Sequence, residues 1–490
     1  MLPVLVIAFS ASEPERVGEI TILPSSGAPN VLGRGDGEGE PGEGRVRFLR
    51  QRPGIVDKAP PLASPGISRR QLVFHPVPGG VVLQRVGQCA LEVNGVRCDE
   101  ATVAPGDVVA LRRELVLYCT RRPALIPAPR FFPLEHASVF GEADAFGIIG
   151  ESSSTWRLRE AIAFAARSDT HALILGASGT GKELAARAIH ALSTRSERAF
   201  VARNAATLPP SLVDAELFGN AKNYPNAGMA ERPGLVGEAD GGTLFLDEIG
   251  ELPGELQAHL LRVLDADGEY QRLGEAGMRR SDLRLLAATN RDPSSLKHDF
   301  GARFTSTVDV PDLASRREDI PLITRALLLR AAKRSPEIAG RFVATGPHGY
   351  RFVRLHTSLV AHLLTREYRT NVRELEAVLW KALAESRGDV VELPEALRSG
   401  SGEPTPGAAP SSNREEIRQV AERLAERLVL PQRTEPTGDE IRAALAQSNG
   451  SVAQAARALG LSSRYALYRL LRKHQITVAV SEQEGDGEPG

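Results

Sequence analysis

The chain has 490 residues, 42% of them apolar and 25% charged, with a formal net charge of -1. That length exceeds what a single hydrophobic core supports and calls for about three domains. The near-zero charge excludes a uniformly basic nucleic-acid coat, and no run of about 18 uncharged apolar residues is present to cross a membrane.

Aromatic residues make up only 5% of the chain, so its cores must rest on Leu, Val, Ile and Ala. Cys89, Cys98 and Cys119 fit no zinc or redox spacing and are read as reduced thiols of a cytoplasmic protein. The opening apolar run, residues 2–9, lacks a preceding basic residue and a cleavage site, and it reads as a first strand rather than a signal peptide.

Residues 1–122 read as an all-β sandwich. Short apolar runs at 4–9, 19–23, 45–50, 72–75, 81–85 and 115–118 are separated by Gly, Pro and Asp turns. A Gly- and Glu-rich stretch, 35–44, reads as a flexible loop within it. Gly33-Arg34, Ser68-Arg69-Arg70-Gln71 and Asn94-Gly95 occur in an order and spacing that resembles a forkhead-associated (FHA) domain. The resemblance implies binding of a phosphothreonine-bearing protein by loops between strands. Arg34, Ser68, Arg69 and Asn94 would serve the dianion, and Gln71 stands where the family usually has a loop-supporting His. The alternative is a domain of that shape used only for protein contacts.

Residues 123–146 read as a Pro-containing linker. From 147 to 318 short apolar runs alternate with helical spacing: 172–175, 200–201, 243–246, 283–287 and 308–310. Strands apolar on both faces with helices between them predict an α/β domain around a parallel sheet. Residues 319–398 have helical spacing without strands and predict a helical lid.

Gly176-Ala177-Ser178-Gly179-Thr180-Gly181-Lys182 follows one strand and opens a helix, the context of a phosphate-binding P-loop. Its amides and the helix N-terminus supply positive potential, and Lys182 reaches the phosphates of ATP. Glu183 stands where a hydroxyl normally touches Mg2+, so the metal must lean on the acidic end of the strand at 243–246. There Asp247 would hold Mg2+ through water and Glu248 would polarise the attacking water. The two strands carrying these motifs are expected side by side.

Those blocks, with Asn204, Glu216-Leu217-Phe218-Gly219, Gly241 to Pro253, Ala287-Ala288-Thr289-Asn290 and Asn371-Val372-Arg373-Glu374-Leu375, resemble the AAA+ domain of bacterial enhancer-binding proteins, the NtrC class acting on sigma-54 polymerase. The resemblance implies a homo-oligomer, from dimer to hexameric ring, with ATP sites at subunit boundaries. It implies that Asn204 pairs with Glu248, that Asn290 senses the γ-phosphate and that Arg373 contacts nucleotide from the lid. Arg303 becomes an arginine finger, and Lys297 takes the place of a second one. Lys keeps the charge there but loses the planar fork, which implies slower hydrolysis. The family's Gly-Ala-Phe-Thr-Gly-Ala contact loop to sigma-54 reads Asn223-Tyr224-Pro225-Asn226-Ala227-Gly228 here, without the Phe-Thr pair. An alternative therefore stays open: a DNA-binding regulator whose ATP site controls oligomerisation without remodelling sigma-54 polymerase.

Residues 399–436 read as a flexible linker with a charged amphipathic helix. At 437–478 a capping box, Thr437 to Glu440, opens the first of three helices with apolar faces. They resemble the Fis-type helix-turn-helix for duplex DNA. Ser462, Ser463, Arg464, Tyr465, Tyr468 and Arg469 would face the major groove. The alternative is a small helical dimerisation unit. The last residues, 479–490, are an acidic tail read as disordered.

Overall fold

The computed structural model describes residues 1–23, 27–36, 43–77, 80–209, 211–265, 267–346, 349–398, 437–448 and 452–459, with residues 467, 470, 471, 474 and 476. They fall into two compact units, Met1–Arg418 and Gln419–Gly490. The tether and amphipathic helix expected at 399–436, the centre of the loop at 35–44 and the acidic tail lie outside the described residues.

The chain begins with two β-sheets. The larger runs in the order Val96–Cys98, Leu91–Val93, Val108–Leu111, Leu115–Arg122, Leu2–Ser10, Ile20–Ile22, Leu49–Arg52 and Ile55–Lys58. The smaller runs Glu100–Val103, Gly80–Arg85, Leu72–Val77, Asn30–Leu32 and Gly44–Arg45. Inward side chains from both, among them Leu5, Ile7, Phe74, Leu83, Leu115 and Leu117, close one core. The single strand expected at 45–50 is instead two, Gly44–Arg45 and Leu49–Arg52, which belong to different sheets.

Alternation explains the outer face of the larger sheet. Leu115 and Leu117 point into the sandwich, and the residues that alternate with them, Val116 and Tyr118, must point out. They are not solvated. With Ala8, Val108 and Ala110 they join the buried cluster of the helical lid, where Leu359, Val360, Leu363 and Leu375 also lie. This is why residues 4–9 and 115–119 are continuously apolar although their sheet is antiparallel: both faces are covered.

Ion pairs lock the same seam. Arg122 meets Glu318 at 3.0 Å with both side chains buried. Arg52 meets Glu151 at 2.6 Å, and Glu151 also accepts from the Trp156 indole at 3.1 Å and the Gly141 amide at 2.9 Å. The segment 123–146 is likewise not a free linker. Ile126 and Phe132 are buried against Trp156 and Ala163, and the amides of Arg130, Phe131 and Phe132 donate to the Glu160 carboxylate.

The α/β core holds five parallel strands in the order Phe200–Asn204, Thr243–Asp247, Arg284–Thr289, Ala172–Leu175 and Ser306–Asp309. The strands of the two nucleotide motifs are therefore not neighbours, contrary to the expectation from sequence. Arg284–Thr289 lies between them: all six residues are buried and its centre, Leu285 to Ala288, is apolar, as a strand covered on both faces requires. Helices Ser153–Arg167, Lys182–Ala191 and Gly254–Leu264 cover the sheet through two separate apolar clusters. The lid carries helices Ile320–Arg334, Thr357–Thr365 and Asn371–Glu385. It also carries a two-stranded hairpin, Val343–Thr345 with Arg351–Val353, where only helix was expected.

The second unit is small. Thr437 caps helix Gly438–Gln447: its hydroxyl accepts from the Glu440 amide at 3.4 Å while the Glu440 carboxylate accepts from the Thr437 amide at 2.8 Å. The Thr437 amide and the Thr437 hydroxyl, at 3.0 Å, both donate to the Glu440 carboxylate and hold it below its ordinary pKa. Ile441, Ala444 and Leu445 share a core with Ala455 of helix Val452–Ala458 and with Leu467, Leu470 and Leu471.

Candidate functional site

The loop Gly176–Lys182 leaves strand Ala172–Leu175 and enters helix Lys182–Ala191 as the spacing predicts. Gly179 and Gly181 have φ of +75° and +107°, a region costly for residues with a Cβ. At Gly179 the space is also closed, since a Cβ would lie 2.2 Å from the Thr370 carbonyl of the lid. The turn leaves the amides of Ser178, Gly179 and Gly181 with no acceptor among the described residues. Three such donors beside a helix N-terminus form an anion cradle. The Lys182 ammonium is buried in it and donates to the carbonyls of Gly176 at 3.0 Å and Ala177 at 3.4 Å.

Strand Thr243–Asp247 delivers the acidic pair. Asp247 accepts from the Glu248 amide at 2.9 Å, and Glu248 sits in the left-handed region at φ +53°. A non-glycine residue held there is a strained conformation of the kind found at functional sites. The twist turns the Glu248 carboxylate across the intervening strand to 3.8 Å from Lys182. Asn204 lies opposite Asp247 in register, but its side-chain oxygen accepts from the Ala206 amide at 2.9 Å. No hydrogen bond joins Asn204 to Glu248 among the described residues. Asn290 is exposed just past Thr289, whose carbonyl accepts from the Gly176 amide at 3.3 Å.

The lid closes over the cradle. The Arg373 guanidinium donates to the Ser178 hydroxyl at 3.2 Å. Two further contacts were not foreseen from sequence. Asn371, at φ +49°, donates to the Ser178 carbonyl at 3.0 Å and accepts from the Leu313 amide at 2.8 Å. Arg316, buried, donates to the Thr180 carbonyl at 3.2 Å. Asn371 opens the same motif that carries Arg373, which was its available signal.

Arg303 is half-exposed and pairs with Asp265 at 2.6 Å. Lys297 is exposed and forms no ion pair among the described residues. The loop around Asn223 to Gly228 is tied down: the Asn220 side-chain amide donates to the carbonyls of Ala221, Ala230 and Tyr224, and the Gly228 backbone amide donates to the Asn223 side chain at 2.9 Å. A Cβ on Gly274 would collide with the Tyr224 ring, so that ring lies directly on Gly274.

In the β-domain the Arg34 amide donates to the Ser68 carbonyl at 3.0 Å, which brings the two loops together. Gly33 makes this possible, since a Cβ there would lie 2.1 Å from the Arg69 carbonyl. The Arg34 and Arg69 guanidinium groups form no ion pair among the described residues. The Ser68 hydroxyl accepts from the Gln88 amide at 3.1 Å, and buried Gln71 braces the loop by accepting from the Ser68 and Cys89 amides. Asn94 stands apart from this group. Its side chain donates to Asp107 and accepts from the Val108 amide, both at 2.9 Å, so it holds its own turn. Ser462, Ser463, Arg464, Tyr465, Tyr468 and Arg469 lie outside the described residues.

Residues 148–304 match the model of the Sigma-54 interaction domain. The transcriptional regulatory protein ZraR of Escherichia coli K12 is 36% identical over 340 residues, covering 67% of this chain and 69% of the relative. The chain belongs to the family of transcriptional regulators built on a sigma-54 interaction domain. Its central module is accordingly the AAA+ P-loop domain of sigma-54 regulators. The formate hydrogenlyase transcriptional activator of Salmonella typhimurium SL1344 is 39% identical over 263 residues, covering 52% of this chain; the chain spans only 35% of that relative's length. A crystal structure of NtrX from Brucella abortus in complex with ATP is 29% identical, with a TM-score of 0.43, covering 67% of this chain and 69% of that one. Among the described residues no helix of this regulator is long and apolar enough to cross a membrane.

Proposed function

We propose that this chain is an ATP-driven transcription regulator in which hydrolysis at the Lys182–Glu248 site remodels a promoter-bound sigma-54 polymerase. The observation that carries this reading is the set of three unclaimed amides around Lys182, with the carboxylate of Glu248 turned toward them. An amide cradle with a buried ammonium binds the phosphates. Glu248 stands on its open side to orient water, and Arg373 and Asn371 make the cradle depend on lid position. Among the described residues no three His, Cys, Asp or Glu side chains gather into a metal site. A Mg2+ ion, which would neutralise phosphate charge, would be held with the nucleotide by Asp247 at the end of strand Thr243–Asp247, beside Glu248.

In this reading Arg303 leaves Asp265 when subunits assemble and completes a neighbour's site, with Lys297 as a second cation. Duplex DNA is held by the C-terminal unit through Ser462, Ser463, Arg464, Tyr465, Tyr468 and Arg469, and the homo-oligomer spans dimer to hexamer. The β-domain takes a phosphothreonine-bearing partner at Arg34, Ser68 and Arg69. The two guanidinium groups supply charge the phosphate needs; Asn94, spent on Asp107 and Val108, is left out of this set.

The second reading, an ATP site that governs assembly without acting on sigma-54, is favoured by the loop at 223–228. That loop lacks the family's Phe-Thr pair and is tied to Asn220 and Gly274. One experiment separates the two. The purified chain, sigma-54 and ADP with aluminium fluoride are mixed and resolved by size. The first reading expects a trapped complex that Lys182→Ala abolishes. Hydrolysis that Glu248→Gln suppresses, with no complex, supports the second.

A further inference from the structure

The three unclaimed amides of the cradle share one design. A peptide group is planar and trans, so holding its carbonyl fixes the direction of the N–H on the other side. The Ala177 carbonyl, in one plane with the Ser178 amide, accepts from the Thr180 hydroxyl at 2.9 Å. The Ser178 carbonyl, in one plane with the Gly179 amide, accepts from Asn371 of the lid at 3.0 Å. The Thr180 carbonyl, in one plane with the Gly181 amide, accepts from Arg316 at 3.2 Å. Each donor that faces the anion is thus aimed through its own carbonyl, and the bond to that carbonyl also polarises the N–H. Bracing matters most at Gly181, where φ is +107° and no Cβ restricts the backbone.

Arg316 is a costly brace. It is 5% exposed, its Nε hydrogen meets no acceptor, and no carboxylate forms an ion pair with it among the described residues. A buried guanidinium left in this way disfavours the free protein. Beside an anion cradle the same cation has a use, because the phosphates of a bound nucleotide bring the negative charge that the fold withholds.

The segment that carries Arg316 is anchored on three sides. Ala314–Asp319 leaves helical geometry at Arg316, with φ -135° and ψ 41°. Arg317 donates to the Leu364 and Arg366 carbonyls of the lid, both at 2.8 Å. Glu318 is the partner of Arg122 from the β-domain. Asp319 accepts from the amides of Glu151 and Ser152 at 2.8 and 2.9 Å, at the start of helix Ser153–Arg167. Four consecutive side chains therefore reach the P-loop, the lid, the sandwich and the first helix of the α/β core.

We propose that Arg316 is a positioning residue for the nucleotide phosphates, aiming the Gly181 amide through the Thr180 carbonyl, and that Arg122 of the β-domain supports it through Glu318. The inference rests on the reading of Gly176–Lys182 as the ATP cradle. It adds a residue outside the nucleotide motifs and a route by which the sandwich bears on phosphate binding.

The test is titration of a fluorescent ATP analogue against the full chain, with unfolding midpoints measured in parallel. Arg316→Met removes charge and donor at similar volume. It is expected to weaken binding about tenfold, the worth of one charge-assisted hydrogen bond. The midpoint is not expected to fall, since an apolar side chain relieves the buried charge. Arg316→Lys, which retains a cation and a donor, is expected to recover most of the affinity. Arg122→Met combined with Glu318→Leu is expected to weaken binding about threefold. Adding Arg316→Met to that pair should leave the affinity at the level of Arg316→Met alone, because the pair acts through Arg316. Unchanged affinity in Arg316→Met overturns the proposal, as does a loss that comes with a lowered midpoint or that Arg316→Lys does not rescue. Losses that add in the combined variant overturn the part assigned to Arg122. A wild-type chain that binds no analogue overturns the cradle reading and this inference with it.

Discussion

The phosphate cradle and the seam between sandwich and lid solve opposite problems with the same kinds of residue. The cradle keeps polar groups unspent: three amides without acceptors, and an ammonium making do with backbone carbonyls. The seam leaves little unspent, since Arg122, Glu318, Arg52 and Glu151 are buried or half-buried in mutual contact. A site that must admit an anion carries unsatisfied donors at a cost in stability, whereas a joint that must only hold cannot tolerate them. The difference teaches where each region is fragile. The cradle is fragile in its backbone conformation, the seam in its charge balance.

The sharpest way to break that contrast is Glu318→Ala, which strands Arg122 in the seam. A loss of about 3–5 kcal/mol in denaturant unfolding is expected, whereas Arg122→Met combined with Glu318→Leu should come out near neutral. If the single change is as mild as the double, the seam does not depend on charge balance. In the cradle, Gly179→Ala forces a side chain into φ +75° and against Thr370. The strain of about 1–3 kcal/mol should appear as roughly tenfold weaker binding of a fluorescent ATP analogue, with the unfolding midpoint moving less than in the seam variant.

Burial against the pull of Arg122 raises the Glu318 pKa above the ordinary 4.5. Between the ordinary and the raised value the folded protein keeps a proton that the unfolded chain has lost, so stability falls as pH rises through that window. Glu318→Gln should remove that part of the slope in urea midpoints measured against pH. A smaller effect is expected at the half-exposed Arg303–Asp265 pair, worth about 0.2–1 kcal/mol. Asp265→Asn should raise turnover at high protein concentration by no more than about fivefold. Finest of all is a chemical reading of the sandwich core. Burial pushes the Cys119 thiol up to about 12, so iodoacetamide at pH 8 should label Cys119 only after denaturation, as counted by mass.

The cradle was legible because its parts are contiguous. Gly176 to Lys182 encode turn, donors and helix start within seven residues, and Asp247 and Glu248 follow a single apolar run. The seam was not, because its partners lie far apart: Arg122 and Glu318 are separated by 196 positions. A signal did exist in residues 4–9 and 115–119, whose unbroken apolar character in an antiparallel sheet already requires a second covered face. Strand order was missed because periodicity says which segments are strands and not which lie between others. The prolines of segment 123–146 suggest a linker, while Phe131 and Phe132 carry the opposite signal, and packing follows the aromatic rings. Asn94 shares a loop pattern with Arg34 and Ser68, but spacing along the chain does not reveal that Asp107 would claim its amide.

The covered outer sheet has a practical corollary for anyone dissecting this molecule. Excising the first 122 residues as a soluble fragment would lay bare Val108, Val116 and Tyr118 together, a greasy patch prone to self-association. The remainder would in turn lose the wall against which Leu359 and Leu363 rest. Truncations intended to liberate the motor would therefore cripple it for mechanical reasons, and loss of activity in such a deletion would say nothing about whether the head is an activating or an inhibitory element.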